Sequence, residues 1–186
     1  MAEFNAFAIA YGRHGGADAA SNIDPTDSRA DRYPLGYTIE GEDASGYWGR
    51  WWWGIYGATT TVTSTTKPLL AISNGTLSAT IMWTAILTIV TAWPIGYQRV
   101  CGTVEASTTA TYKGWIRTHG YVPGMLGVNS GTRTIGLPVA GGTTAGTLEL
   151  HDVAADVGGR IAGYLAVTST TAVYDVHLDV PFYGKM

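Results

Sequence analysis

Cysteine is nearly absent. Cys101 is the single one in 186 residues, which excludes an internal disulfide and a cysteine-based zinc site. Charge is scarce as well: Asp, Glu, Lys and Arg make up 13% of the chain, about half the roughly 25% usual in globular proteins. Lysine occurs three times, and 11 basic residues face 14 acidic ones, for a net charge of −3. A protein that coats nucleic acid needs a basic surface to neutralise phosphates, so that role is excluded. Helix-favouring residues are few. Threonine (26), glycine (25), tyrosine (11) and tryptophan (7) are plentiful instead. β-Branched and aromatic residues punctuated by glycine favour strands and turns, so the fold is expected to be mainly β, a compact β-barrel or β-sandwich knob.

The charges are unevenly placed. Residues 1–50 hold 12 of them and residues 51–98 hold only Lys67. The polar stretch from Gly12 to Pro34 is rich in Gly, Ala and Asp, and Asp24-Pro25 and Tyr33-Pro34 stop helices. It has too few large apolar residues to bury a core, so residues 1–34 are expected to form an extended N-terminal arm that orders against a neighbour. Residues 35–186 then form the β-rich domain, with a sub-boundary near 97. The opening Met1-Ala2-Glu3-Phe4 lacks the basic segment and apolar run of a secretory signal. Asn74-Gly75-Thr76 is a hairpin turn on this reading, not a glycosylation site.

Pro68 to Tyr97 carries no charge, and Leu77–Trp93 is at the lower length limit for a membrane helix. Five Ser and Thr residues interrupt it, no basic cluster flanks it, and Pro94 follows. Buried strands are expected there, and no membrane partner. Strand signals are clearest in the C-terminal half. Ala172–Val180 alternates with its even positions apolar, and Thr147–His151, Trp115–His119 and Arg160–Val167 also read as strands. Asn129-Ser130-Gly131, Gly141-Gly142 and Gly158-Gly159 mark turns.

Candidate chemistry is thin. Ser64-Thr65-Thr66-Lys67 matches Ser-x-x-Lys, without the Ser-Asp-Asn and Lys-Thr-Gly elements that accompany it in β-lactamases. Asp24, Asp27 and Asp31 lack the order and closing Glu of a calcium loop. Asp175, His177 and Asp179 share a strand face, with Glu149 and His151 alike on another, which is either a metal cluster or simply a solvated edge. Cys101 is expected to be a small buried residue. No catalytic, cofactor or metal site is expected. The aromatic run Tyr47–Tyr56 is the strongest signal. Trp51, Trp52 and Trp53 in a strand point to both faces, so a one-sided core cannot hide them. Either the chain covers both faces, or one face meets another protein, or Trp51 or Trp53 forms a stacking platform for carbohydrate.

Several segments resemble a known family. Arg32-Tyr33-Pro34-Leu35-Gly36-Tyr37-Thr38-Ile39-Glu40-Gly41-Glu42-Asp43 is similar to the Pro-Leu-Gly…Glu-Asp-Gly opening of tailed-bacteriophage head decoration (capsid cement) proteins. Tyr112–Gly120 resembles their Gly-Trp-Val-Gln-Thr-Arg-Gly strand. Gly146–Leu150, Gly158–Leu165 and Val173–Val180 resemble their later strands. Residues 59–97 are shorter and more apolar than the family's region there. The resemblance implies a virion structural protein on the outer capsid surface, made in the host bacterial cytoplasm. It implies that the major capsid protein and further copies of itself are the partners, as a homotrimer or alternatively a dimer, with no enzymatic activity. The expected interface residues are Phe4, Phe7, Tyr11, Ile23 and Tyr33 of the arm with Trp48, Trp51, Trp52 and Trp53; a carbohydrate-binding β module on the virion is the alternative.

Overall fold

The computed structural model describes residues 33–43, 45–56, 67–72, 84–87, 99–104, 111–128, 132–142, 144, 146–150 and 161–180. Ten strands follow one another: β1 (Thr38–Glu42), β2 (Trp48–Tyr56), β3 (Leu69–Ile72), β4 (Thr84–Leu87), β5 (Arg99–Val104), β6 (Lys113–Leu126), β7 (Pro138–Gly141), β8 (Leu148–Leu150), β9 (Gly163–Leu165) and β10 (Val173–Asp179). No helix occurs among the described residues. The mainly β expectation holds.

The strands form one sheet in the order β1-β2-β4-β3-β5-β6-β10-β9-β7-β8, with β2 also paired to β6. Its outer strands β1 and β8 stay unjoined, so the sheet as a whole is not a closed barrel. Within it, the β2–β6 ladder brings the chain of pairings β2-β4-β3-β5-β6 back to its start. Every strand pair is antiparallel except β2–β4. The β3–β5 ladder joins residues on either side of position 97.

Two cores result, and β3 is shared between them. Leu70 joins Trp52, Tyr56, Cys101, Val104 and Ile116 within the ring of strands. Its neighbour Leu69 points the opposite way, as strand alternation dictates, into a cluster with Val122, Met125, Val139, Leu148, Tyr174, Val176 and Leu178. Burying each such side chain stabilises the fold by about 1.5–3 kcal/mol. The alternation foreseen for residues 172–180 is realised, with Tyr174, Val176, Leu178 and Val180 buried and Val173, His177 and Asp179 exposed. Cys101 is buried, and that burial pushes its thiol pKa far up.

Strand β6 is much longer than the Trp115–His119 segment legible in the sequence. Two irregularities let it continue. Opposite Arg50 and Trp51 the pairing skips Thr118, whose hydroxyl donates to the Arg50 carbonyl at 3.1 Å. At Gly120, φ is +98° and an added Cβ would lie 2.0 Å from the Trp48 carbonyl oxygen, so only glycine lets β2 approach so closely. Further on, Pro123 and Gly124 lie opposite Asp175, where the register against β10 shifts. A proline is tolerated at such a bulge because no ladder donor is needed there. The Asp175 carboxylate accepts the Gly124 amide at 3.0 Å.

Candidate functional face

Construction starts at the β1–β2 turn. The Asp43 carboxylate accepts the Ser45 amide at 2.9 Å and the Tyr47 amide at 3.0 Å through one oxygen. Its other oxygen accepts Arg117 Nη1 at 2.7 Å. Arg117 is fully buried. Its remaining donors reach the carbonyls of Trp48 (3.0 Å) and His119 (3.2 Å), and its guanidinium lies 4.8 Å from the Trp51 ring centroid. One buried cation thus fixes the turn that carries Tyr47 and Trp48.

Cross-strand register then sets two rows of side chains on the outer face. Glu40 pairs with Arg50, Arg50 with His119, and His119 with Asp179. Within this charged row Arg50 Nε donates to Glu40 at 2.5 Å and His119 Nε2 lies 3.3 Å from Asp179. The neighbouring row is aromatic. Tyr121 pairs with His177 and His177 with Tyr164, while Tyr47 packs on Tyr121 with ring centroids 4.5 Å apart. Tyr121 and His177 follow at 5.5 Å. Trp48 stands at one end of the row and Tyr164 at the other, 50% and 43% exposed. The Tyr121 hydroxyl donates to Asp175 at 3.0 Å, and desolvation together with that carboxylate raises its pKa.

Burial is the main reason the His119 pKa lies below its ordinary 6.5; Arg50 lowers it further, and Asp179 and Glu40 oppose the shift. The folded chain therefore keeps this imidazole neutral where the unfolded chain takes up a proton. Stability from this source is fully present above about pH 6.5 and is lost as pH falls through the lower folded value. The expected result is a drop in the urea midpoint between about pH 7.5 and pH 5.5 that shrinks in His119→Gln. An identical drop in both proteins would contradict it.

The residues foreseen as interface divide sharply. Phe4, Phe7, Tyr11 and Ile23 lie outside the described residues. Tyr33 is half-buried against the domain, with its ring 5.5 Å from Trp53 and 5.3 Å from Trp115. Trp51, Trp52 and Trp53 are inside the chain, at most 1% exposed. This corrects the platform expectation: Trp51 and Trp53 are closed to any ligand, and of the four tryptophans only Trp48 is exposed. Both sides of β2 are covered from within, Trp52 by the ring's own core and Trp53 by Trp115 and Tyr33, with Tyr37 packed in turn on Trp115.

Asp175, His177 and Asp179 do share one face, yet they do not converge on a common point: Asp175 accepts from the Tyr121 hydroxyl and the Gly124 amide, His177 lies against the Tyr121 ring, and Asp179 faces His119. No group of three or more metal-ligating side chains occurs among the described residues. Glu149 is half-buried on β8, and β9 and β7 separate that strand from β10. His151, Ser64, Asn74 and the Asp24–Asp31 carboxylates lie outside the described residues, as does most of Leu77–Trp93. Within that last stretch β4 is a strand, and no described helix is long and apolar enough to cross a membrane. Tyr47 was part of the aromatic run read from the sequence, whereas Tyr121 and Tyr164 were not singled out; their positions on amphipathic strands were the available signal, and register brings them together. Comparison with protein-family models and with curated proteins finds no match to this chain.

Proposed function

We propose that this chain is a non-enzymatic virion structural protein that decorates a phage capsid and stabilises it by clamping neighbouring major capsid subunits, working as a homotrimer on the outer surface. The observation that carries this reading is the anchoring of the root of the arm. Pro34-Leu35-Gly36-Tyr37 closes a turn, with the Tyr37 amide donating to the Pro34 carbonyl at 3.0 Å and Gly36 at φ +82°. That is the conformation a type II turn demands at its third residue. The turn stacks Tyr33 on Tyr37 at 5.5 Å and lays both over the Trp53–Trp115 pair. Each aromatic contact of this kind contributes about 0.5–1.5 kcal/mol beyond its buried area.

An arm seated this way passes any pull on it directly into β2 and β6. The segment that supplies the seat, Tyr33–Tyr37, is also the one that resembles the opening of the decoration proteins. Many copies on a lattice convert modest single contacts into lasting attachment through effective concentration. Deleting residues 1–31 retains the Tyr33 seat and removes the arm. Such a protein is expected to keep its melting temperature and to lose binding to undecorated shells in a sedimentation assay. Undiminished binding by the truncated chain would overturn the clamp.

A further inference from the structure

We propose that the outer face of β2, β6, β10 and β9 binds a neutral oligosaccharide. Trp48, Tyr47, Tyr121, His177 and Tyr164 lie across these four strands in one row. Three strand spacings of roughly 4.8 Å give it a length of about 14 Å, the reach of several linked pyranose rings. Aromatic faces carry negative π-density that attracts the C–H face of a sugar, and the rings also offer a large apolar area. The two ends of the row, Trp48 and Tyr164, are its most open indoles and phenols.

Hydroxyl-directed groups border the rings. Glu42 is the cross-strand partner of Trp48, and Asp179 lies two residues beyond His177 on the same strand face. Carboxylates accept from sugar hydroxyls, and an imidazole both donates and accepts. Charge excludes anionic ligands. Glu40, Glu42, Asp175 and Asp179 outnumber Arg50 on this face, and burial depresses protonation of His119. An anionic polymer is repelled, whereas a neutral polyhydroxyl chain is not. Protein–protein interface centres are depleted of charged residues, which sets this face apart from them. The Asp43–Arg117 lock and the Tyr121–Asp175 bond hold the row in place before a ligand arrives, so little ordering cost falls on binding.

This inference stands apart from the capsid reading and is tested separately. The full chain is titrated with cello-, xylo-, manno- and malto-hexaose, following tryptophan fluorescence and calorimetric heat, with polygalacturonate as an anionic control. At least one neutral hexaose is expected to bind. Trp48→Ala and Tyr164→Ala are each expected to weaken it tenfold or more with melting temperatures held, and Lys113→Gln, at the far end of β6, to leave it unchanged. Failure of all four hexaoses, preference for polygalacturonate, or equal affinity in the Trp48 and Tyr164 variants would overturn it. So would a change of oligomeric state in Trp48→Ala without any glycan binding, which would assign the face to a protein contact.

Discussion

Asp43→Ala is expected to lower the unfolding free energy by about 3–4 kcal/mol, the range for removing one partner of a buried ion pair. Arg117 keeps 1% of its side-chain surface exposed and Asp43 14%. Without the carboxylate, the guanidinium stays in the interior, against the Trp48 and His119 carbonyls and the Trp51 ring, with its charge no longer matched by Asp43. The same substitution strips the Ser45 and Tyr47 amides of their acceptor, so the β1–β2 turn loosens as well. Urea denaturation followed by tryptophan fluorescence measures the loss. A double variant, Asp43→Ala with Arg117→Met, is expected to regain much of it, because the stranded charge is gone while the packing over Trp51 remains. A loss below about 1 kcal/mol, the scale of a solvated surface pair, would show that Arg117 is not confined as described.

Trp115→Ala is expected to cost about 3–5 kcal/mol, the span for truncating a large buried aromatic. The ring is 2% exposed and meets Trp53 at 5.1 Å, Tyr33 at 5.3 Å and Tyr37 at 6.4 Å. Its removal leaves a void beneath the Pro34–Tyr37 turn. Thermal melting is expected to shift downward by on the order of 10 °C for a chain of this size. An unchanged midpoint would place Trp115 outside the core.

Much of the strand content was legible because burial imposes a period of two. Tyr174, Val176 and Leu178 alternate with Asp175, His177 and Asp179, and the structure buries the first set and exposes His177 and Asp179. Strand β6 was legible only in its first part. Gly120, Pro123 and Gly124 are ordinary stop signals, and what neutralises them is tertiary: close backbone approach by β2 at Gly120, and an aspartate from β10 at Gly124. The three tryptophans announced that both faces of β2 needed cover. The sequence could not say that the cover would come from Trp115 and Tyr33 on one side and from Leu70, Cys101 and Ile116 on the other. The aromatic row lay beyond sequence patterning altogether, since its members come from four segments joined only by register. Asp43 was visible as part of a motif, but its role depends on an arginine 74 positions away.

Strand β6 takes β2 on one flank and β10 on the other. While the chain is being synthesised, β2 is therefore available to β6 at once, but β10 emerges some fifty residues later, after β7, β8 and β9. Throughout that interval the part of β6 from His119 to Leu126, which β10 pairs, carries an open row of amide and carbonyl groups, while β5 already covers Ile116 and Arg117; such an open row is the feature on which neighbouring chains pair and aggregate. The order of the described strands thus makes β10 the one that closes off this flank of the nascent molecule.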